Sequence, residues 1–284
     1  MNDRNKVWFI TGSSTGFGRE LAEQLLELGY RVVATARNTD TIIDLVERFP
    51  ETARALKLDV TSGDDVKASV AKAVEEFGTI DVLVNNAGYG LAGGIEEPSM
   101  EQIQTQYDTN IYGVIRVMRE VLPIMRQKKG GHILNISSVV GFTAFPSSGY
   151  YSSTKFAVEA LSEALSQEVA HLGIKVTIVE PGGFRTDFAG RSFVQPAHRI
   201  KDYITSERTD AIGEYHNNQP GDPAKGVKAM INVTEIDDPP LRLPLGEDAV
   251  TAIEKKLEAV QKNVEAFRDV AMNTKVDEAD SAAN

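Results

Sequence analysis

The chain has no cysteine, which excludes disulfides, thiolate catalysis and thiolate metal sites together. Histidine is scarce. His132, His171, His198 and His216 are scattered without ligand-like spacing, so no metal is expected. Long apolar runs are missing as well, and none approaches the roughly 20 residues that cross a bilayer. Positive charge is in deficit: 30 Lys and Arg against 41 Asp and Glu leave a net charge of −11. That balance argues against nucleic acid or an anionic membrane as a main partner, while leaving room for a local basic pocket. The opening MNDRNK is polar and runs straight into VWFI without the apolar core of a signal peptide, so a cytoplasmic protein is expected.

What is present reads as an alternation. Short β-rich runs occur at 6–11, 31–36, 55–59, 81–88, 132–137 and 175–182, and a further short one at 239–246. Helical patterns fill the gaps at 17–29, 39–48, 63–77, 100–128 and 150–172, then at 222–234 and 248–267. Strands separated by helices imply parallel pairing with right-handed crossovers. The expectation is therefore an α/β fold: a single Rossmann-type, doubly wound parallel sheet of about seven strands, helices on both faces, and a C-terminal helical extension. Residues 1–272 form one domain in this reading, with a substrate lid at about 187–220 where the rhythm breaks. Residues 273–284 end in DEADSAAN and read as a disordered acidic tail.

Directly after the first strand comes TGSSTGFG, residues 11–18. Glycines there let the backbone turn tightly and approach a pyrophosphate, while the following helix offers free N–H groups and the positive end of its dipole. Gly12, Ser14, Thr15, Gly16, Phe17 and Gly18 are the expected contacts. No Lys-Ser/Thr pair follows the glycines, which disfavours a nucleoside-triphosphate loop. The second strand ends in Ala36 and Arg37 rather than an acidic residue. A guanidinium suits a ribose 2′-phosphate, so NADP(H) is expected over NAD(H), the alternative being a surface arginine without a cofactor role.

The stretch GYYSSTKFAVEAL (149–161) holds two adjacent tyrosines and one lysine. On a helix, residues four apart share a face, which pairs Tyr151 with Lys155 and leaves Tyr150 out. By itself such a pair is usually a solvated surface contact. Read in order, however, TGSSTGFG, NNAG (85–88), the serines at 137 and 138, Tyr151-x-x-x-Lys155 and PGGFRT (181–186) resemble the classical short-chain dehydrogenase/reductase family over about residues 5–190.

That resemblance implies roles. Tyr151 matches the general acid/base, and Lys155 the residue that activates it and holds the nicotinamide ribose. An ammonium about 4 Å from the phenol, at an effective dielectric near 20, supplies roughly 4 kcal/mol, or about three pKa units. Ser138 matches the serine that positions the substrate oxygen, with Ser137 its competitor on the opposite face. Asn110 matches the asparagine that helps hold a water near Lys155. Asp59 and Val60 match the adenine cradle. Asn86, Ala87 and Gly88 match the turn after the fourth strand, where a purely sheet-stabilising role is equally natural. Pro181, Gly182 and Thr186 match the segment at the nicotinamide carboxamide. The family also implies a homo-oligomer, dimer or tetramer, often built on helices 100–128 and 150–172. Residues 187–220, joined by Tyr89, Leu91, Phe142, Phe145 and Pro146, should roof the pocket, and their apolar and aromatic groups suggest a hydrophobic or aromatic carbonyl or alcohol as substrate, or else packing of the lid. A catalytically silent dinucleotide sensor of the same fold is the competing class. A longer-branch epimerase or dehydratase is a second, which the glycine spacing and modest length disfavour.

Overall fold

The computed structural model describes residues 4–190, 192–205 and 218–276. Seven parallel strands form the central sheet: β1 (Val7–Ile10), β2 (Arg31–Ala36), β3 (Ala53–Lys57), β4 (Val82–Asn85), β6 (Gly131–Ile136), β7 (Ile174–Pro181) and β9 (Arg242–Leu245). Their spatial order is β3-β2-β1-β4-β6-β7-β9, so the winding reverses between β1 and β4. The inner strands are short, apolar and almost wholly buried, the edge strands β3 and β9 only partly so, and successive side chains go to opposite faces. In β1, Trp8 and Ile10 enter one core while Val7 and Phe9 enter the other.

Helices cover both faces. The first core is closed by α1 (Gly16–Glu27), α2 (Ile43–Arg48) and α7 (Pro223–Val233), through Leu21, Leu25, Leu45, Val227 and Met230. The second is closed by α3 (Gly63–Phe77), α5 (Gly113–Lys128) and α6 (Gly149–Val169), through Val66, Val70, Val117, Val121 and Val158. Local chemistry sets the ends. Ser62 caps α3 by accepting from the Asp65 N–H at 3.2 Å, and Gly78 ends it in the left-handed region at φ +80°. Beyond β9, α8 (Glu247–Ala266) and α9 (Arg268–Met272) form the C-terminal extension, exposed along most of its length. Among the described residues no helix is long and apolar enough to cross a membrane.

Several boundaries differ from expectation. The helix expected over 100–128 is broken into α4 (Met100–Tyr107), a π turn at Asp108–Tyr112, and α5. The strand expected at 55–59 runs 53–57, because the Asp59 carboxylate turns the chain by accepting from the Thr61 N–H at 2.9 Å. Residues 39–48 form a 3₁₀ turn and the short α2 rather than one helix, the turn being capped by Asn38. Two two-residue strands, β5 (Gly90–Leu91) and β8 (Phe193–Val194), pair parallel and tie the start of the expected lid to the loop after β4. A two-residue run carries no periodicity, so neither was legible in sequence. Of the expected lid, residues 191 and 206–217 lie outside the described residues, as do 277–284 of the expected tail.

Candidate active site

The carboxyl ends of β1, β4, β6 and β7 open into a cleft of about 1400 Å³. Its floor at the winding reversal is the glycine loop. Gly12 sits at φ +72°, a conformation that L side chains rarely adopt, and a Cβ there would press on the Ala87 backbone at 3.0 Å. Thr11 locks this loop to the turn after β4: its Oγ1 accepts from the N–H groups of Asn86 (2.9 Å) and Ala87 (3.0 Å). Asn86 Nδ2 donates back to the carbonyls of Thr11 (3.0 Å) and Gly12 (2.9 Å). Gly12, Ser14, Thr15, Gly16, Phe17, Asn86, Ala87 and Gly88 all face the cleft. Gly18 does not. It lies behind the wall, where a Cβ would collide with the Gly12 carbonyl oxygen, so its role is close packing of α1 on the loop. The Thr15 side chain makes no cap at the N-terminus of α1, which leaves the first-turn N–H groups turned toward an anion's position.

The wall beyond β2 and β3 carries Ala36, Arg37, Asp59 and Val60. Burial opposes ionisation of Asp59, but hydrogen bonds from Thr61 and the charge of Arg37 outweigh it and hold the carboxyl below its usual range. Arg37 itself is exposed on the cleft rim. This combination of an uncapped helix start, a glycine cradle and a rim guanidinium fits a nicotinamide dinucleotide.

The opposite end holds the reactive candidates. Tyr151, Lys155, Ser138, Pro181, Gly182 and Thr186 all line it. Tyr150 turns away and donates to the Ile95 carbonyl at 2.7 Å, so the four-residue spacing selects the tyrosine facing the cleft. Tyr151 and Lys155 are both buried, at 8% and 6% exposed. Burial pushes the Tyr151 phenol up, and a hydrogen bond with Ser138 pulls it partly back. Burial pushes the Lys155 ammonium down to about 8, opposed by the charge of Glu159.

Here the electrostatic expectation needs correction. Lys155 Nζ donates to the Ile136 carbonyl at 2.7 Å and stands 5.8 Å from the centre of the Tyr151 ring. Desolvation is the largest influence on the phenol, and the net direction is upward. Ser138 faces Tyr151, whereas Ser137 is buried on the other side of the strand end against Glu159, as a period of two requires.

Asn110 sits in the π turn and is 1% exposed. Its side chain is committed to structure: Nδ2 donates to the Tyr89 carbonyl (2.8 Å) and Thr154 Oγ1 (3.1 Å), and Oδ1 accepts from the Tyr89 N–H (3.1 Å). It therefore braces Gly88 and Tyr89 from behind and does not reach the cleft wall.

Above Tyr151 the site is apolar. The Phe188 ring lies 5.4 Å from that of Tyr151 and 6.1 Å from that of Phe193, which β8 holds over Gly90. Tyr89, Leu91, Phe145 and Pro146 join the wall as expected. Phe142 does not; it stacks under Arg242 at 5.4 Å. Sequence reasoning missed one wall entirely. Gln102, Thr105 and Thr109 reach in from α4 and the π turn, and the signal was their polar stripe at i, i+3 and i+7. It also missed Glu97, a buried carboxylate that accepts from the N–H groups of Gly94 (2.6 Å) and Ile200 (2.8 Å) and so moors the lid's base.

Known proteins share this fold. A family model described as short chain dehydrogenase matches residues 6–196. Oxidoreductase BOA17 of Botryotinia fuckeliana is 38% identical over 269 residues, covering 94% of this chain and 98% of the relative. The crystal structure of a short-chain dehydrogenase from Streptomyces avermitilis superposes with a TM-score of 0.90 at 38% identity, covering 95% and 99% of the two chains. The closed form of a serine dehydrogenase complexed with NADP+ gives a TM-score of 0.74 at 27% identity, covering 84% and 94%.

Proposed function

The chain belongs to the short-chain dehydrogenase family, and on that premise we propose that it is an NADP(H)-dependent oxidoreductase that interconverts a carbonyl and a secondary alcohol on a hydrophobic or aromatic small molecule. The observation that carries this is the placement of Tyr151, Ser138 and Lys155 where the dinucleotide-shaped half of the cleft meets its apolar half. When bound, the nicotinamide supplies or accepts the hydride.

The chain's own residues do the rest. In reduction, Tyr151 is the proton donor at the substrate oxygen; burial keeps it protonated until charge develops there. Ser138 donates to the same oxygen and orients it. Lys155, fixed on Ile136, holds the nicotinamide ribose and places a positive charge beside the phenol as it loses its proton. The glycine loop, with Asn86, Ala87 and Gly88, holds the pyrophosphate and central cofactor, Asp59 and Val60 the adenine, and Pro181, Gly182 and Thr186 the carboxamide. Arg37 favours the 2′-phosphate of NADP(H). Phe188 and Phe193 exclude water over the reacting atoms and select apolar substrates.

The same reading treats 1–272 as one domain with a lid at about 187–220, acting in the cytoplasm as a homo-oligomer. Turnover of a panel of hydrophobic and aromatic ketones with NADPH, for the wild type and Tyr151→Phe, tests the reaction. Loss of the phenol hydroxyl is expected to lower kcat by about 10²–10⁴-fold with nucleotide binding retained. Nucleotide binding with no turnover of any ketone or alcohol would favour the dinucleotide sensor instead.

A further inference from the structure

Behind the reactive pair, away from the cleft, lies a cluster of charged side chains that the proposed reaction leaves without a role. Glu159 follows Lys155 by one helical turn, so Tyr151, Lys155 and Glu159 descend one face of α6. Glu159 is 5% exposed, and Glu180, on the adjoining strand β7, is 1% exposed. A single guanidinium serves both. Arg242 on β9 donates through Nη1 to Glu159 Oε2 and to Glu180 Oε1 (2.7 Å), and through Nη2 to Glu163 Oε2 at 3.1 Å. Stacking on Phe142 holds the guanidinium in place.

One cation thus faces three carboxylates, two of them deep in the protein. An interior does not keep unbalanced negative charge; a second cation or a bound proton must compensate. Lys155 is the cation one turn away, and Glu159 is the carboxylate whose charge acts on it. Glu159 Oε1 and the Ser137 hydroxyl beside it face one another, and neither finds another partner among the described residues. Both converge with the Lys155 stem on Gly141, where a Cβ would stand 3.0 Å from Oε1 and 3.1 Å from Lys155 Cβ. Burial raises Glu159 to about 7, with Ser137 and Arg242 opposing and Glu180 reinforcing the rise. The remaining carboxylate nearby, Asp248, is directed to the Gly183 N–H at 2.7 Å.

We propose that Glu159, anchored by Arg242, is a positioning residue for the reactive pair: the buried counter-charge that holds the Lys155 ammonium charged and in place beside Tyr151. No proton transfer through Glu159 is required; it acts on Tyr151 only through Lys155. The kinetic part of this inference rests on the proposed reaction, whereas the nucleotide-binding part does not.

The test is the pH dependence of Glu159→Gln, which keeps the shape and removes the charge. A buried lysine that loses a neighbouring anion gives up its proton at lower pH. The alkaline fall-off of kcat/KM for ketone reduction is therefore expected to move about one pH unit lower. The alkaline fall-off of NADPH affinity, read by fluorescence titration, should move with it. Glu159→Asp retains the charge at shorter reach, so it should shift both profiles less and in the same direction. Should the Gln variant not fold, the Asp variant decides by that same shift. Profiles that superimpose on the wild type, with only the melting temperature lowered, would make Glu159 a structural residue and overturn the proposal. If the wild type turns over no ketone, the reaction is wrong and the nucleotide titration alone judges Glu159.

Discussion

At the scale of single residues, the cleft is a set of environments rather than a set of letters. Arg37 is exposed at the rim, and its charge acts on Asp59 across the cleft wall. A charge-assisted contact to a phosphate contributes about 1.5–3 kcal/mol, and about 1.4 kcal/mol is tenfold in affinity. Arg37→Asp is thus expected to shift the ratio of kcat/KM values from NADPH toward NADH by at least about tenfold, measured with one ketone under both nucleotides. An unchanged ratio would return Arg37 to the status of a surface cation. Spacing paired one tyrosine with the lysine, because a helix period leaves only Tyr151 on the face of Lys155, and the ordered motifs around the pair marked it as reactive. What spacing could not show is their solvation. Burial moves the two groups in opposite directions, and only the packing of α6 against the sheet sets how far.

At the scale of elements, the glycine loop and α1 act as one unit. Gly18 occupies the first turn of α1, where alanine ordinarily favours the helix by about 1 kcal/mol. A Cβ at that point, however, meets the Gly12 carbonyl and Asn86 Nδ2 at 2.5 Å, and forced overpacking costs about 1–3 kcal/mol. Gly18→Ala should therefore lower both the melting temperature and the NADPH affinity, in thermal denaturation and nucleotide titration respectively. A variant as stable as the wild type would show that the loop gives way freely. The π turn at Asp108–Tyr112 illustrates what patterns miss. Its residues read as one continuous helix, and the extra residue is accommodated because the Asn110 side chain bonds Tyr89 and Thr154. Those partners are 21 and 44 residues away, beyond the reach of any local period.

At the scale of the whole molecule, the π turn before α5 and helix α6 leave Tyr112, Phe156 and Leu161 exposed, at 54%, 42% and 36%. Phe156 directly follows Lys155, so a covered α6 would also stiffen the reactive helix. These side chains support the proposed homo-oligomer, and Phe156→Glu should reduce the mass seen by light scattering toward the 31.0 kDa of one chain. A wild type that already runs as a monomer would refute that assembly. The sequence by itself determined the alternation of strand and helix, the parallel sheet, the glycine cradle and the selection of Tyr151 over Tyr150. Each of these follows from short-range geometry: a period of two, a period of 3.6, or a backbone angle open to glycine. Only the tertiary structure decided the fit of β5 against β8, the polar wall from α4, the Glu97 mooring and the Glu159–Glu180–Arg242 cluster. Those depend on contacts across tens of residues and on desolvation, and neither quantity is carried by the order of neighbouring residues.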